Sequence, residues 1–213
     1  MRHTFKLLAA TVAAATICSC STLTGYPTDA EASYAKAIEI AKKSVDTDKF
    51  KVYSLSFMEG EPLSDNLFLI SVKLVNRDNQ AFSQSYYMTG LEPTALSDVQ
   101  RTFEAPEYET TVGIDLTKLD AAQIAAQIAQ AKAMLPEGHT FKSVGRYQIE
   151  EDVPAGNSVF NRNKTFGKQH TSFVVRFTED GKETESSAGK TSYIYYEAEV
   201  TVEPDGTLSI EEN

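Results

Sequence analysis

The sequence predicts an α+β protein of two tandem α-β-β-β(-β) repeats, with the helices packed on one face of antiparallel sheet. Three observations carry the prediction. Two apolar stripes at helical spacing, from Tyr34 and from Ile124, begin 90 residues apart. Each stripe is followed by a series of strand-like runs. Each series opens on the same pair, Phe50-Lys51 and Phe141-Lys142. The repeats are expected over 28–114 and 115–213.

Helix 1 is expected over 29–45. Thr28-Asp29-Ala30-Glu31 has the spacing of a capping box, in which Thr28 accepts from the amide three residues on and Glu31 reaches back. Behind it Tyr34, Ile38, Ala41 and Val45 fall at i, i+4, i+7 and i+11, with Glu39, Lys42 and Lys43 off the stripe. That is the pattern of a helix burying one side. Strands follow at 50–58, rich in Val, Tyr, Leu and Phe, and at 67–75. In the second, Phe68, Ile70, Val72 and Leu74 alternate with Ser71 and Lys73, which gives a sheet with one buried side. Residues 76–79 (Asn-Arg-Asp-Asn) read as a turn. A strand over 80–89 then sets Phe82, Tyr86 and Met88 against Ser83, Ser85 and Tyr87. After a loop over 90–97, a weaker fourth strand is expected in 99–103 or 108–114.

The second repeat restarts at Thr117-Lys118-Leu119-Asp120, a box with Asp in its last place. Ile124, Ile128, Ala131 and Leu135 repeat the stripe, with Ala and Gln filling the other positions as strong helix formers. Pro136-Glu137-Gly138 stops the helix. Strands are expected at 140–149, 171–178 and 191–202. Pro204-Asp205-Gly206 is a hairpin turn into a closing strand at 207–210.

This order resembles the tandem α-plus-four-strand repeats of the β-lactamase-inhibitor-protein-like and PepSY-like lipoproteins. The resemblance implies helices over one face of an antiparallel sheet and a second, often concave, face that holds a protein partner. The chain departs from it in an extra loop at 150–169 and in having no disulfides.

The N-terminus resembles a bacterial lipoprotein signal. Arg2 and Lys6 form a basic start, and residues 7–17 an apolar run. Eleven residues rise about 16 Å as a helix, half of what a membrane span needs. Ile17-Cys18-Ser19-Cys20 resembles a lipobox, with a branched residue three before Cys20 and a small one just before it. Cys20 is therefore expected as the lipidated first residue after a signal peptide over 1–19. Ser21 after Cys20, with no acid there, implies outer-membrane sorting facing the periplasm. Residues 20–27 form a short tether.

Composition narrows the function. After Ser19 the chain carries 18 basic and 30 acidic residues, a net charge of −12. Nucleic-acid binding needs a basic footprint, so no nucleic acid is expected. Cys18 and Cys20 are the only cysteines. With one cleaved off and one acylated, thiolate nucleophiles, iron–sulfur clusters and disulfides are excluded. No cofactor and no metal are expected. His139 and His170 stand outside any ligand spacing. Ala188-Gly189-Lys190-Thr191 ends like a P-loop, but Thr184 stands where the first glycine belongs, and no helix is expected after it. The acidic runs at 104–109 and 179–185 lack calcium-loop spacing.

Two features suit docking. In the 191–202 strand, Tyr193, Tyr195, Glu197 and Glu199 face away from Ile194, Tyr196, Ala198, Val200 and Val202. Tyrosine on an open sheet face supplies contact area at low entropy cost. The loop over 157–169 carries Arg162, Lys164 and Lys168 with no acid, and interleaves Phe160 and Phe166. The function expected is a lipid-anchored envelope binding or accessory protein, not an enzyme. It meets a protein partner through the Tyr-bearing face and the basic loop. Small-ligand capture in a cleft between repeats is the alternative, and hydrolysis the least expected class.

Overall fold

The computed structural model describes residues 25–100, 106–153, 166–187 and 190–212. The signal, Cys20 and most of the tether lie outside the described residues, as do Phe160, Arg162 and Lys164. The described chain holds two α-helices, α1 (Glu31–Ser44) and α2 (Ala121–Ala133). Nine strands accompany them: β1 (Phe50–Glu59), β2 (Leu67–Asn76), β3 (Ala81–Tyr87), β4 (His139–Glu151), β5 (Gln169–Glu179), β6 (Thr184–Ser187), β7 (Lys190–Tyr193), β8 (Tyr196–Val202) and β9 (Leu208–Glu212). Seven of these form one antiparallel sheet in the order β3-β2-β1-β4-β5-β8-β9, while β6 and β7 pair as a separate ribbon. The fold is thus α+β. Among the described residues no helix is long and apolar enough to cross a membrane.

The two sets of strands share one sheet because β1 and β4 pair antiparallel at its centre, Phe57 opposite Tyr147. From there one apolar row runs in register across all seven strands: Tyr86, Ile70, Phe57, Tyr147, Phe173, Val200 and Ile210. It meets the helical stripes. Tyr34, Ile38 and Ala41 of α1, and Ile124, Ile128 and Ala131 of α2, are buried in the same cluster as these strand residues. The Tyr34 ring stands edge-on to both Phe57 and Tyr147, 5.6 and 5.8 Å between centroids. Tyr147 stacks on Phe173 at 5.5 Å. Truncating a ring such as Phe57 to alanine would cost about 3–5 kcal/mol through lost transfer energy and the cavity left behind.

The helix starts differ from their expected boxes. Asp120, not Thr117, caps α2, accepting from the Ala122 amide. Thr117 belongs to a one-turn 3-10 helix (Leu116–Lys118) and is bonded by Asp115. Thr28 does not cap α1, which has no side-chain cap. Its hydroxyl donates to Asp65 and accepts from the Val144 amide, and its carbonyl accepts from Tyr34. Thr28 therefore joins the start of α1 to β2's approach and to β4. A buried hydroxyl with two partners from distant elements satisfies more polar groups than one helix amide would.

Among the described residues no fourth strand forms in the first half, and 108–114 is not a strand. Segment 94–100 instead runs beside β3, with amides of Thr94, Ser97 and Gln100 donating to Ser85, Ser83 and Ala81 carbonyls. It covers the sheet's β3 edge, a place that otherwise invites foreign strands. Residues 101–105 lie outside the described chain. The expected strand over 191–202 breaks at Ile194-Tyr195, where β7 leaves the large sheet to pair with β6. Lys190 opens β7, so a strand stands where a P-loop would need a helix.

Candidate docking surface

Period-2 alternation puts the residues next to the apolar row on the opposite side of the sheet. There a second in-register row crosses all seven strands: Ser85, Ser71, Ser56, Gln148, Ser172, Thr201 and Ser209. Seven strands set it over about 29 Å. The hydroxyls of Ser85, Ser71, Ser56, Ser172 and Thr201 bond no other described residue. Beside this row lies another: Tyr87, Leu69, Met58, Arg146, Val174 and Glu199. Its first three members are apolar and half-buried. On the other flank Lys73 pairs with Glu150 at 3.3 Å across Ser54. This face is polar, near neutral, and carries an apolar stripe at its β3 end.

Arg176 anchors the opposite end. Its Nη1 donates to Glu59 and its Nε to Glu197, the latter at 2.7 Å. The Tyr195 ring lies 5.8 Å from its Cζ, and the guanidinium crosses the β4 backbone at Gly145. Burial pulls the guanidinium down, but its bonds to Glu197 and Glu59 outweigh that and hold it above its usual value. Glu59 has a fully buried side chain. It also accepts from Ser143 Oγ, Ser64 Oγ and the Asp65 amide, at 2.9, 3.3 and 2.7 Å. A buried carboxylate held by a cation and three hydrogen bonds is compensated, so this cluster fixes structure.

No family model, curated protein or solved structure matches the chain.

The expected docking residues are dispersed. Tyr193 is 72% exposed on the β6–β7 ribbon, paired with Thr184, and so does not share a strand face with Glu197 and Glu199. Tyr195 sits in the break and packs over Arg176. Tyr196, on the apolar side, stacks on Phe177 with His139 edge-on to both. Phe166 and Lys168 are exposed where the 152–168 loop leaves the sheet. That base is closed by Asp152 N to Lys168 O and Gly167 N to Asp152 O. The signal for the missed residues was in β1, where Ser54 and Ser56 alternate with Leu55 and Phe57.

The histidines stand apart. His139 pairs with Glu179 at one end of the β4–β5 ladder, and His170 with Glu150 near the other. Nine residues of strand separate those points, about 30 Å. They share no site. His170 Nε2 instead contacts Asp152 Oδ2 at 2.9 Å. Among the described residues no three His, Cys, Asp or Glu side chains are grouped to hold a metal ion.

Proposed function

We propose that the chain is a lipid-anchored binding protein of the bacterial envelope, held by acylated Cys20 on the outer membrane and facing the periplasm. It acts without catalysis, by contact with a protein partner. The polar sheet face is the docking surface, with Tyr195 at one end and Tyr87, Leu69 and Met58 at the other. The observation that carries this is the row of five hydroxyls that bond no other described residue, running beside a half-buried apolar stripe. A stripe of apolar and aromatic side chains with satisfiable polar neighbours has the make-up of a protein interface. Phe166 and Lys168, with Phe160, Arg162 and Lys164 of the same loop, supply a basic and aromatic arm against an acidic partner.

The tandem-repeat reading belongs with this proposal. Its support is the strand order: outward from the β1–β4 pair run β2 and β3 on one side, and β5, β8 and β9 on the other. Each half begins with a helix that contributes to the apolar side, at 28–114 and 115–213. Both helices lie on that side, and no described helix covers the polar face.

The test is charge placed on the face. Met58→Asp with Ser71→Arg alters two half-buried side chains of that face, one on β1 and one on β2. The lipidated double variant should keep its melting temperature within a few degrees and lose the envelope protein that the unaltered chain captures. Equal capture by the variant would refute the surface.

A further inference from the structure

We propose that a cleft beneath segment 112–119 binds a free apolar α-amino acid as its zwitterion. The cleft lies on the apolar side of the sheet, beyond Tyr147 and Phe173, where Ile149 stands opposite Thr171. It is thus on the other side from the docking face, and either site can fail without the other. Its volume is about 300 Å³. That equals roughly ten waters, at about 30 Å³ each, and sits at the small end of ligand sites.

The wall is preformed. Glu151, itself 2% exposed, receives the Val112 and Gly113 amides, both at 2.7 Å. The Ile114 amide donates to Val52 O at 2.7 Å. Lys51 Nζ donates to the Tyr108 and Thr111 carbonyls, both at 2.7 Å. A carboxylate on two amides and an ammonium on two carbonyls fix the start of the segment, so a ligand need not order it there.

The lining divides by chemistry. Ile114, Leu119 and Ile149 form an apolar floor. The Thr171 hydroxyl bonds no other described residue. Gln169 donates Nε2 to Gly113 O at 3.1 Å, and its carbonyl oxygen accepts from no other described residue. At the rim Lys118 Nζ meets Asp115 Oδ2 at a long 3.3 Å. The Thr117 hydroxyl and amide hold the Asp115 carboxyl below its usual range, so it is ionised at neutral pH. A single anion or cation would satisfy one member of this pair and face like charge in the other. A zwitterion satisfies both: carboxylate to Lys118, ammonium to Asp115 and the Gln169 carbonyl, with its aliphatic side chain on the floor.

The experiment is calorimetric titration of the full lipidated chain, in detergent, with L-leucine, L-leucinamide and N-acetyl-L-leucine. L-leucine should bind saturably at one site, and each blocked form at least about tenfold more weakly, since each loses one charge-assisted contact. Lys118→Gln should weaken L-leucine about tenfold and leave L-leucinamide unchanged, which a loss of folding could not do. Thr171→Val, nearly isosteric, should weaken L-leucine a few-fold with an unchanged melting temperature. The proposal is overturned by no saturable heat from L-leucine up to about 10 mM, a range that covers weak small-ligand binding. Equal binding of the blocked forms overturns it as well.

Discussion

Tyr147 donates its hydroxyl proton to Gln127 across the buried interior, at 2.6 Å. One residue is at the centre of the sheet and the other on α2, and both are buried. The bond ties the second helix to the central strand at a point where the Tyr34 ring of α1 also arrives. Tyr147→Phe removes the donor and leaves the Gln127 carbonyl buried without it. Chemical denaturation should show a loss of about 1–3 kcal/mol. Adding Gln127→Leu should recover part of that loss, since both polar partners are then gone. A double variant worse than the sum of the singles would refute the coupling.

Burial also sets an alkaline limit. Desolvation raises Tyr34 well above its ordinary value, with the nearby Tyr147 adding to it, and raises Tyr147 as well. The folded chain therefore resists ionising phenols that the unfolded chain releases near pH ~10. The raised groups contribute stability that is complete below that pH and is lost as pH rises toward the folded values. Denaturation midpoints should hold from pH 8 to 9 and fall above about 10. Tyr34→Phe should flatten that fall relative to the unaltered chain, measured at each pH.

Arg176 crosses the sheet over Gly145, where any side chain would displace its guanidinium. A Cβ at position 145 would lie 2.8 Å from Arg176 Cζ. Gly145→Ala should therefore push the guanidinium off Glu59. Arg176→Met should cost more, about 3–5 kcal/mol, because it leaves the buried Glu59 carboxylate without its cation. Double replacement, Glu59→Gln with Arg176→Met, should be milder than Arg176→Met alone.

Glu151 is the post on which segment 106–114 rests. Glu151→Gln offers one acceptor where the carboxylate offered two, and turns an amide donor toward a backbone amide. Hydrogen exchange at Val112, Gly113 and Ile114 should speed up by tenfold or more, corresponding to a local loss above about 1.4 kcal/mol. Exchange in β1 and β2 should stay as it was.

Cys20→Ala tests the anchor. The variant should lose acyl labelling and leave the membrane fraction. Unchanged fractionation with unchanged labelling would rule out lipidation at that residue.

The helices and most strands were legible because burial follows period. Tyr34, Ile38, Ala41 and Val45 are all at or below 7% exposure, as their spacing implies. Ile70, Val72 and Leu74 behave the same way in β2. Ser71, Lys73, Ser83, Ser85 and Tyr87 fell to the other face, again from alternation. The partners of those strands were not legible. Nothing within Phe50–Glu59 says that it pairs with a strand some 90 residues on, since period fixes a strand's faces and not its neighbour. The break at Ile194-Tyr195 was hidden because alternation runs straight through it. The caps were misassigned for a related reason: Thr28 has stronger partners in Asp65 and Val144 than its own helix offers. The candidate docking face was only partly legible. Tyr193 and Tyr195 are exposed as expected, but the continuous surface belongs to serines and a Leu-Met-Tyr stripe that only strand register assembles.

That surface is the account's central claim, and site-specific photo-crosslinking in the envelope tests it most directly. A photoreactive residue in place of Leu69, on the polar face, should give a discrete adduct between the lipidated chain and one envelope protein. The same residue in place of Met134, 44% exposed at the end of α2, should give none. An adduct from Met134 but not Leu69, or no adduct from either, would contradict docking through the sheet.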